Sequence, residues 1–438
     1  MTGALGVVGL WHLGCCVTAG WLRLGHTVRG VEFDPAVVAG LRRGEPPLYE
    51  PGLAEVLAEG LAAGRASFGV EPGAVKGCSV VFIAYDTPVG PDDASDLTPI
   101  RTALEACAPH LDPGAIVVVS AQLPVGTARQ LRTRLQALAP AAELVYSPEN
   151  LRLGEAIRCY LEPGHIVIGA EERWAGDAVE ALFSPMRARV YRMNLPSAEM
   201  TKHCINSFLA TSVTVANQWA DICGAVGADF ADVSAVLRAD PRIGARAYIT
   251  PGIGFSGGTL GRDLRVLEEV SESALGGGAP LFGEVWRYNQ RRVEVVARRA
   301  TEILGGLASR RIGLLGMTYK PGTSTLRRSL PLAVALDLLG HGAAVSAHDP
   351  RADWQEVDVP EGLVIADSPY AAAESADLVV LLTEWPEYRD LDFSRLAKAM
   401  ARPFVLDTKG FLRPRVDALA AAGLRLLGLA SGPGERAS

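Results

Sequence analysis

One predicted helix carries a lysine and an asparagine that could hold a small-molecule oxygen. Glu199, Lys202 and Asn206 are spaced i, i+3 and i+7, which places them on one face of a helix. Because Lys202 and Asn206 are one turn apart, an ammonium and an amide can point at the same oxygen atom. A solvated polar stripe is the more common reason for such spacing, and it is the segment that follows which favours a ligand site.

That segment is a glycine-rich loop that ends at an acidic residue. Residues 251–263 read PGIGFSGGTLGRD, with five glycines within ten residues. Glycine loses much conformational freedom on folding, so this density is a poor choice for simple connection and suits a backbone that approaches a ligand closely. We expect the loop to lie against a ligand and a helix to begin at Asp263.

The first strand of the chain ends in a turn typical of dinucleotide sites. Gly9 and Gly14 bound the sequence GLWHLG, and Glu32 ends the second predicted strand. In such sites the first glycine makes the turn, the last lets the helix pack on the strand, and the pyrophosphate rests on the helix N-terminus. An acid at the second strand end binds ribose hydroxyls and repels a 2'-phosphate, which favours NAD over NADP.

Trp11 departs from that pattern because it stands where the middle glycine of the motif is usual. Its indole must move aside, or it occupies the space of the phosphate. The alternative is an α/β domain that keeps the turn for packing and binds no dinucleotide.

Alternating strand-like and helical segments supply the elements that position these residues. Short apolar runs occur at residues 5–9, 28–33, 79–85, 115–121, 144–147, 165–169 and 189–193, and again at 311–315, 344–347, 378–382 and 404–406. Such alternation predicts α/β structure, namely two Rossmann-like doubly wound parallel sheets with helices on both faces, joined by a long central helix and a small helical domain. The predicted segments are a cofactor domain at 1–195, a central helical domain at 196–304, a second Rossmann-like domain at 305–429 and a disordered tail at 430–438.

The composition excludes several classes of protein. The 438 residues are 49% hydrophobic and 21% charged, which excludes disorder as the main state. The net charge is -7 without a basic stripe, and no stretch of apolar residues is long enough to span a membrane, so neither nucleic acid nor a membrane is an expected partner. The seven cysteines lack metal-like C-x-x-C spacing, so we expect reduced thiols in the cytoplasm and no metal site.

Short motifs are spread over nearly the whole chain. In order they are LYEPGL at 48–53, TPV at 87–89, PVGT at 124–127, SPENLR at 147–152 with Gly154, the Lys202/Asn206 pair, RIG at 242–244, the glycine loop, KP at 320–321 with Arg327 and Ser329, HDP at 348–350 and TEW at 383–385. Together they resemble the nucleotide-sugar dehydrogenases, the family of the UDP-glucose and GDP-mannose dehydrogenases.

The resemblance implies an NAD-dependent oxidoreductase that oxidises the C6 alcohol of a UDP-glucose-like nucleotide sugar twice, and a homodimer built on the central helix. Its implied catalytic residues are Lys202, Asn206, Asp263, the acid–base residue Glu149, and Thr259 at the nucleophile position. The implied cofactor-binding residues are Gly9, Trp11, Gly14, Glu32, Thr87, Gln122 and Arg327. The implied substrate-binding residues are Asn150, Leu151, Arg152, Tyr248, Gly254, Phe255, Lys320, Lys409 and Arg242, the last acting across the dimer interface.

The family nucleophile is a cysteine in the loop G-x-G-x-G-G-x-C-x-P-K-D, and counting back from Asp263 that position is Thr259. In the family the thiolate adds to the aldehyde, so that a second hydride can leave. A threonine hydroxyl is far less acidic and needs a partnered base to attack. The first hydride transfer, from the alcohol, does not need the nucleophile, so we expect a slow or absent second oxidation.

Several interpretations remain open from the sequence. An aldehyde or ketone could be released or retained, or a transient oxidation could drive another step such as epimerisation. An ordinary 6-dehydrogenase could replace the cysteine by oxidising a hydrate or by using another group, and a non-catalytic nucleotide-sugar-binding protein could share the fold. The related hydroxyacid dehydrogenases also carry a Lys-x-x-x-Asn helix, but the second α/β domain argues against them.

Overall fold

The structure is a computed structural model that describes residues 3–85, 96–149 and 151–430. The chain forms two compact units, Met1–Ile205 and Asn206–Ser438. The boundary between them lies inside one long helix, α8 (Leu195–Val226), where the sequence predicts the central helix. None of the described helices is long and apolar enough to cross a membrane.

The first unit is an α/β domain with one large sheet. Its elements before α8 are β1 (Leu5–Val8), α1 (His12–Arg23), β2 (Val28–Val31), α2 (Pro35–Leu41), α3 (Leu53–Ala62), β3 (Ala66–Gly69), β4 (Val80–Ile83), α4 (Thr98–Cys107), β5 (Ile116–Val119), α5 (Thr127–Leu138), β6 (Glu143–Tyr146), α6 (Ala156–Leu161), β7 (Ile166–Ala170), α7 (Arg173–Phe183) and β8 (Val190–Met193). The strand order is β3-β2-β1-β4-β5-β6-β7-β8.

The sheet is parallel, as predicted, with one exception: β6 and β7 pair antiparallel. The connection between these strands contains only α6, a helix of six residues.

The parallel strands bring the candidate residues to one edge of this sheet. β1 pairs in parallel with β2 and β4, and β5 pairs in parallel with β4 and β6. The segments after Val8, Val119 and Tyr146 therefore emerge on the same side. Ligands of doubly wound folds bind outside this carboxyl edge.

Apolar residues cover both faces of the sheet, because its central strands are buried throughout. Trp21 packs beside Phe82 and Phe183 on one face. Val81 and Tyr146 belong to the cluster on the other face. Continuous apolar strands of this kind are typical of a parallel sheet covered on both sides.

Four helices lie between α8 and the second sheet in the chain: α9 (Phe230–Ala239), α10 (Gly258–Leu275), α11 (Pro280–Arg291) and α12 (Glu294–Leu304). Helix α10 begins at Gly258, not at Asp263 as predicted. Gly257 precedes it with φ +84°, a left-handed conformation that suits glycine, so the chain enters the helix where the glycine run ends. Thr259 and Asp263 therefore both lie in the first two turns of α10.

The rest of the second unit is a smaller, fully parallel sheet with its helices. Its elements are β9 (Arg311–Leu315), α13 (Leu330–Gly340), β10 (Ala344–His348), β11 (Leu363–Ile365), α14 (Pro369–Ala372), β12 (Leu378–Leu381), α15 (Phe393–Ala399), β13 (Phe404–Asp407), α16 (Val416–Ala421) and β14 (Arg425–Gly428). The order β11-β10-β9-β12-β13-β14 repeats that of the first six strands of the larger sheet. The predicted fold class, two Rossmann-like sheets with a long helix and a helical segment, is confirmed.

Candidate active site

The turn after β1 has the geometry of a dinucleotide site. Gly9 adopts φ +88°, and a Cβ on Gly14 would lie 1.7 Å from the Gly9 carbonyl oxygen, so α1 packs against the turn too closely for a side chain. Glu32 directly follows β2, is 8% exposed, and its Oε2 accepts a hydrogen bond from Leu10 N–H at 2.7 Å. A close-packed helix N-terminus and a carboxylate at the second strand end fit a dinucleotide.

Trp11 precedes α1 with φ -76° and ψ -154°, a conformation open to any residue. Glycine is therefore not required here for backbone conformation, and the effect of Trp11 is one of space alone. Its side chain is half-buried and gives the helix no capping hydrogen bond. It shares the helix N-terminus at which a pyrophosphate binds in such folds.

Replacing Trp11 with glycine is expected to tighten NAD binding about tenfold, which corresponds to roughly 1.4 kcal/mol. The reason is that the phosphate then meets a bare backbone without displacing an indole. Calorimetric titration of NAD measures the change. Trp174→Ala, at an exposed tryptophan of α7, is the control and should leave affinity unaltered. Unchanged or weaker binding by W11G would show that the indole does not occupy the phosphate space.

The first turns of α8 are anchored to the loop before α5. Glu199 is fully buried, and its carboxylate accepts hydrogen bonds from Gly126 N–H at 2.6 Å and Ala128 N–H at 2.7 Å. Burial raises the pKa of Glu199 even though both hydrogen bonds oppose the shift. Glu199 therefore caps α5 and is not available to a ligand beside Lys202. Gln122, predicted on the cofactor side, lies half-buried in the same loop.

Lys202 and Glu149 form a contact within the first unit. Lys202 Nζ donates to the Glu149 carbonyl oxygen at 2.6 Å. Burial raises the pKa of the Glu149 carboxyl to about 8, and the positive charge of Lys202 opposes part of that rise. Glu149 and Tyr160 line a small cavity of about 30 Å³, room for one water. A carboxyl group with this pKa can hold or accept a proton near neutral pH.

Asn206 and Asp263 form a contact within the second unit. The Asn206 amide donates to Asp263 Oδ2, and both side chains are buried. Arg262 Nε lies 3.8 Å from Asp263 Oδ1. An amide and a guanidinium thus compensate a buried carboxylate that would otherwise be costly to desolvate. The structure therefore brings together two of the predicted catalytic residues.

Three buried polar side chains fix the glycine loop. Asn217 Oδ1 accepts from Gly252 N–H at 2.7 Å, and Arg292 Nε donates to the Gly252 carbonyl at 3.0 Å. Asn289 accepts from Phe255 N–H at 2.8 Å and donates to the Phe255 carbonyl at 2.9 Å. Sequence reasoning missed Asn217 and Asn289, because nothing local separates them from the other polar residues of their helices. It also missed Arg292, which lies between α11 and α12.

Thr259 is the second residue of α10 and is exposed. Across the described ranges, no side chain forms a hydrogen bond with its hydroxyl, so the structure shows no general base beside it. Without such a base a threonine hydroxyl is a weak nucleophile.

The HDP and TEW motifs support the loop that follows β9. Asp349 Oδ2 accepts hydrogen bonds from Met317 N–H at 2.7 Å, Thr318 N–H at 2.9 Å and Trp385 Nε1 at 3.0 Å. Lys320, two residues further on, lies in this loop with its ammonium 5.8 Å from the centre of the Tyr319 ring. These motifs thus hold the backbone that carries Lys320.

A cavity of about 730 Å³ in the second unit borders Lys409 and the start of the glycine loop. Three of its cations are paired with acids: Arg292 with Asp221, Arg413 with Asp229, and Lys409 with Glu384. Arg238 differs. It donates to the hydroxyls of Ser234 at 3.1 Å and Thr250 at 3.2 Å, and no described carboxylate pairs with it.

The other predicted residues lie in varied surroundings. Leu151 and Gly254 are half-buried and Phe255 is buried, while Arg152, Tyr248, Arg327 and Arg242 are exposed. The Arg242 guanidinium is paired with Asp240 at 2.7 Å. Thr87 and Asn150 lie outside the described residues.

Comparison with known proteins assigns the family. Residues 4–187, 196–291 and 313–414 match the NAD binding, central and UDP binding domains of the UDP-glucose/GDP-mannose dehydrogenase family. The UDP-glucose 6-dehydrogenase of Pseudomonas aeruginosa is 34% identical over 425 residues, which are 93% of each chain. The chain belongs to the UDP-glucose/GDP-mannose dehydrogenase family.

Other members of this family share its sequence and fold over nearly their full length. The UDP-glucose 6-dehydrogenase TuaD of Bacillus subtilis is 30% identical over 96% of this chain and 91% of its own. A solved UDP-glucose dehydrogenase from Pyrobaculum islandicum superposes with a TM-score of 0.87 at 30% identity, covering 99% of this chain and 98% of the other.

The family assignment confirms three predictions. The chain resembles nucleotide-sugar dehydrogenases over its length, its cofactor is NAD, and its class is that of an oxidoreductase acting on CH–OH groups. The match to the UDP binding domain confirms a nucleotide sugar as the substrate class. The role of each site residue stays a prediction.

Proposed function

We propose that this dehydrogenase removes one hydride from the alcohol of a UDP-glucose-like nucleotide sugar and carries out the second oxidation slowly or not at all. The observation that carries the proposal is the exposed Thr259, at the nucleophile position, without a described base beside it. The relatives named as UDP-glucose 6-dehydrogenases support a UDP-glucose-like substrate.

Gly9, Gly14 and Glu32 hold the cofactor in this proposal. When bound, NAD accepts the hydride that leaves the carbinol carbon. Lys202, Asn206 and Asp263 position the alcohol, and the Lys202 ammonium stabilises the negative charge that develops on its oxygen. Such fixed electrostatic stabilisation is often the largest single contribution to catalysis. Glu149 accepts the hydroxyl proton as the acid–base residue.

The pH dependence of the reaction is expected to report Glu149. With a pKa of about 8, this carboxyl is protonated at pH 7 and cannot accept a proton, so kcat/KM should rise with pH and reach half its limit near pH 8. Glu149→Gln should abolish that rise. Values of kcat/KM between pH 6 and pH 10 measure this rise. An unchanged pH profile in E149Q would assign the rise to another group.

The same shift predicts the sign of a stability change. The pKa of Glu149 in the folded protein lies above the ordinary glutamate value of 4.5, so the folded protein binds the proton more tightly than the unfolded chain. Its contribution to stability is full below pH 4.5 and is lost as the pH rises through about 8.

The cavity beside Lys409 supports a place for the nucleotide part of the substrate. Its volume of about 730 Å³ falls in the range of ligand pockets, about 300–1,000 Å³. Arg238 offers a guanidinium without a described acidic partner, and guanidinium groups bind phosphate well. We propose that Lys320 and Lys409 also contact the nucleotide sugar.

We propose a homodimer formed through the exposed face of α8. Phe208, Ile222 and Val226 are 71%, 60% and 72% exposed, and their spacing places them on one face of the helix. Val236 of α9 is 72% exposed as well. Large exposed apolar patches mark interaction surfaces, and the proposed reach of Arg242 to the sugar requires a second copy. The seven cysteines lack metal-like C-x-x-C spacing, which supports a cytoplasmic location.

Ile222→Arg is expected to convert the dimer to a monomer, because a guanidinium cannot be buried there without a partner. Sedimentation at several concentrations measures the change. Leu336→Arg, at a 52% exposed leucine of α13, is the control that should stay dimeric. A dimeric I222R protein would contradict the proposed interface.

The proposed function is tested by offering a panel of UDP- and GDP-sugars with NAD and identifying each product by mass. An aldehyde or ketone from one sugar supports it. A uronate as the main product favours an ordinary 6-dehydrogenase. Absence of binding and of NADH formation with every sugar would contradict it.

A further inference from the structure

A buried carboxylate with no assigned role connects two parts of the proposed site. Glu50 belongs to the LYEPGL motif, and its side chain is 1% exposed. It accepts hydrogen bonds from Gly154 N–H and Ala156 N–H, both at 2.8 Å, and its Oε2 lies 3.0 Å from His12 Nε2. One carboxylate thus contacts both the first residue of α1 and the segment that follows β6.

That segment depends on Glu50 for its local hydrogen bonds. Glu155 precedes α6 but caps it with no side-chain hydrogen bond, and Gly154 has φ +84°. Glu50 satisfies two N–H groups at this helix start, which would otherwise be left without partners away from water. It therefore fixes the end of residues 151–154, which we name the sugar loop because they carry Leu151 and Arg152.

His12 fixes the orientation of Glu50. Oε2 of Glu50 contacts His12 and Gly154, while Oε1 contacts Ala156, so both oxygens are engaged. Burial raises the pKa of Glu50, but hydrogen bonds from His12 and the two N–H groups outweigh it and leave the pKa below its usual value. The carboxylate is thus held ionised between two elements.

We propose that Glu50 is a positioning residue for the sugar loop and that His12 orients its carboxylate. The hydrogen bonds of Glu50 thus form a bridge between the start of α1 and the sugar loop. That the sugar loop binds the sugar rests on the proposed function, whereas the hydrogen bonds of Glu50 do not depend on it. The bridge predicts separable effects on sugar and cofactor, because no hydrogen bond among the described residues joins Glu50 to Gly9, Gly14 or Glu32.

Variants at both positions test the bridge. Glu50→Gln replaces one carboxylate oxygen by an amide NH₂, which cannot accept a hydrogen bond from the Gly154 or Ala156 N–H. The sugar loop should therefore lose one of its hydrogen bonds and become less ordered. We expect kcat/KM for the nucleotide sugar to fall about tenfold or more, with the Kd for NAD within about twofold of wild type. His12→Leu should act likewise, and His12→Gln, which keeps an N–H near the Nε2 position, should restore most of the activity.

Glu143→Gln is the matched control. Glu143 is a buried carboxylate at the first residue of β6, paired with Arg132 at 2.6 Å, so it lies at the other edge of the sheet. Glu143→Gln should leave kcat/KM for the nucleotide sugar and the Kd for NAD unaltered. Melting temperatures of all variants, measured alongside, identify a loss that comes from unfolding.

Amide hydrogen exchange separates failure of the bridge from failure of the proposed function. In wild type we expect the Gly154 and Ala156 amides to be protected, and in E50Q to exchange about tenfold faster or more, with no ligand present. Unchanged exchange would overturn the bridge. Faster exchange with unaltered kinetics would overturn its positioning role. A wild-type protein without turnover would contradict the proposed function, while exchange would still decide the bridge.

Discussion

Replacing Lys202 with methionine is expected to lower kcat by about 10²- to 10³-fold, the usual effect of removing one donor that stabilises a developing oxyanion. Methionine keeps an unbranched apolar chain and removes the ammonium, together with its hydrogen bond to the Glu149 carbonyl. The Kd for NAD should be unaltered, because Lys202 is not among the residues proposed to hold the cofactor. Initial rates of NADH formation at saturating substrates measure kcat, and calorimetry measures the Kd.

Lys398→Met is the control for this substitution. Lys398 is exposed on α15, so Lys398→Met removes the same charge from a surface that has no proposed role. Its kcat should equal that of wild type. If K202M and K398M had equal rates, Lys202 would not stabilise the reacting oxygen.

Thr259→Cys is expected to give the protein a second oxidation. A thiol of ordinary pKa, about 8.5, is partly ionised at pH 8 without help, whereas a threonine hydroxyl needs a base that the structure does not place beside Thr259. The thiolate can add to the aldehyde, and the thiohemiacetal can give a second hydride to a second NAD. Water then hydrolyses the thioester to the uronate and frees the thiol. We expect uronate formation to rise by about 10²-fold or more, the low end of what a positioned base contributes to such a step.

Thr259→Ser is the matched control because it keeps a hydroxyl at the same place, and it should show no gain. Aldehyde consumption and uronate formation, followed by mass, measure the second step separately from the first. An unaltered first step with no gain in T259C would show that the thiol is not the missing element.

The parts of the fold that sequence predicted well are those where burial dictates residue type. The central strands β1, β4, β5 and β6 are buried on both faces, so their apolar runs are continuous and easy to recognise. β3, β11 and β14 were missed, and each is an edge strand of its sheet. An edge strand has less burial to enforce an apolar run, so composition alone does not reveal it.

The candidate site shows a similar division. The spacing of Lys202 and Asn206 is a local property, and it could be seen without a structure. The roles of Glu199 and Glu50 depend on N–H groups more than 70 and 100 residues away in sequence. Such partners are set by the tertiary fold, so no local pattern predicts them.

The most direct test of the account is the number of NADH molecules formed per molecule of UDP-glucose consumed, with the carbonyl product trapped by hydroxylamine and identified by mass. A single oxidation yields one NADH per sugar and an oxime of the trapped aldehyde, and this is the expected result. Two NADH per sugar with UDP-glucuronate as the product would contradict it.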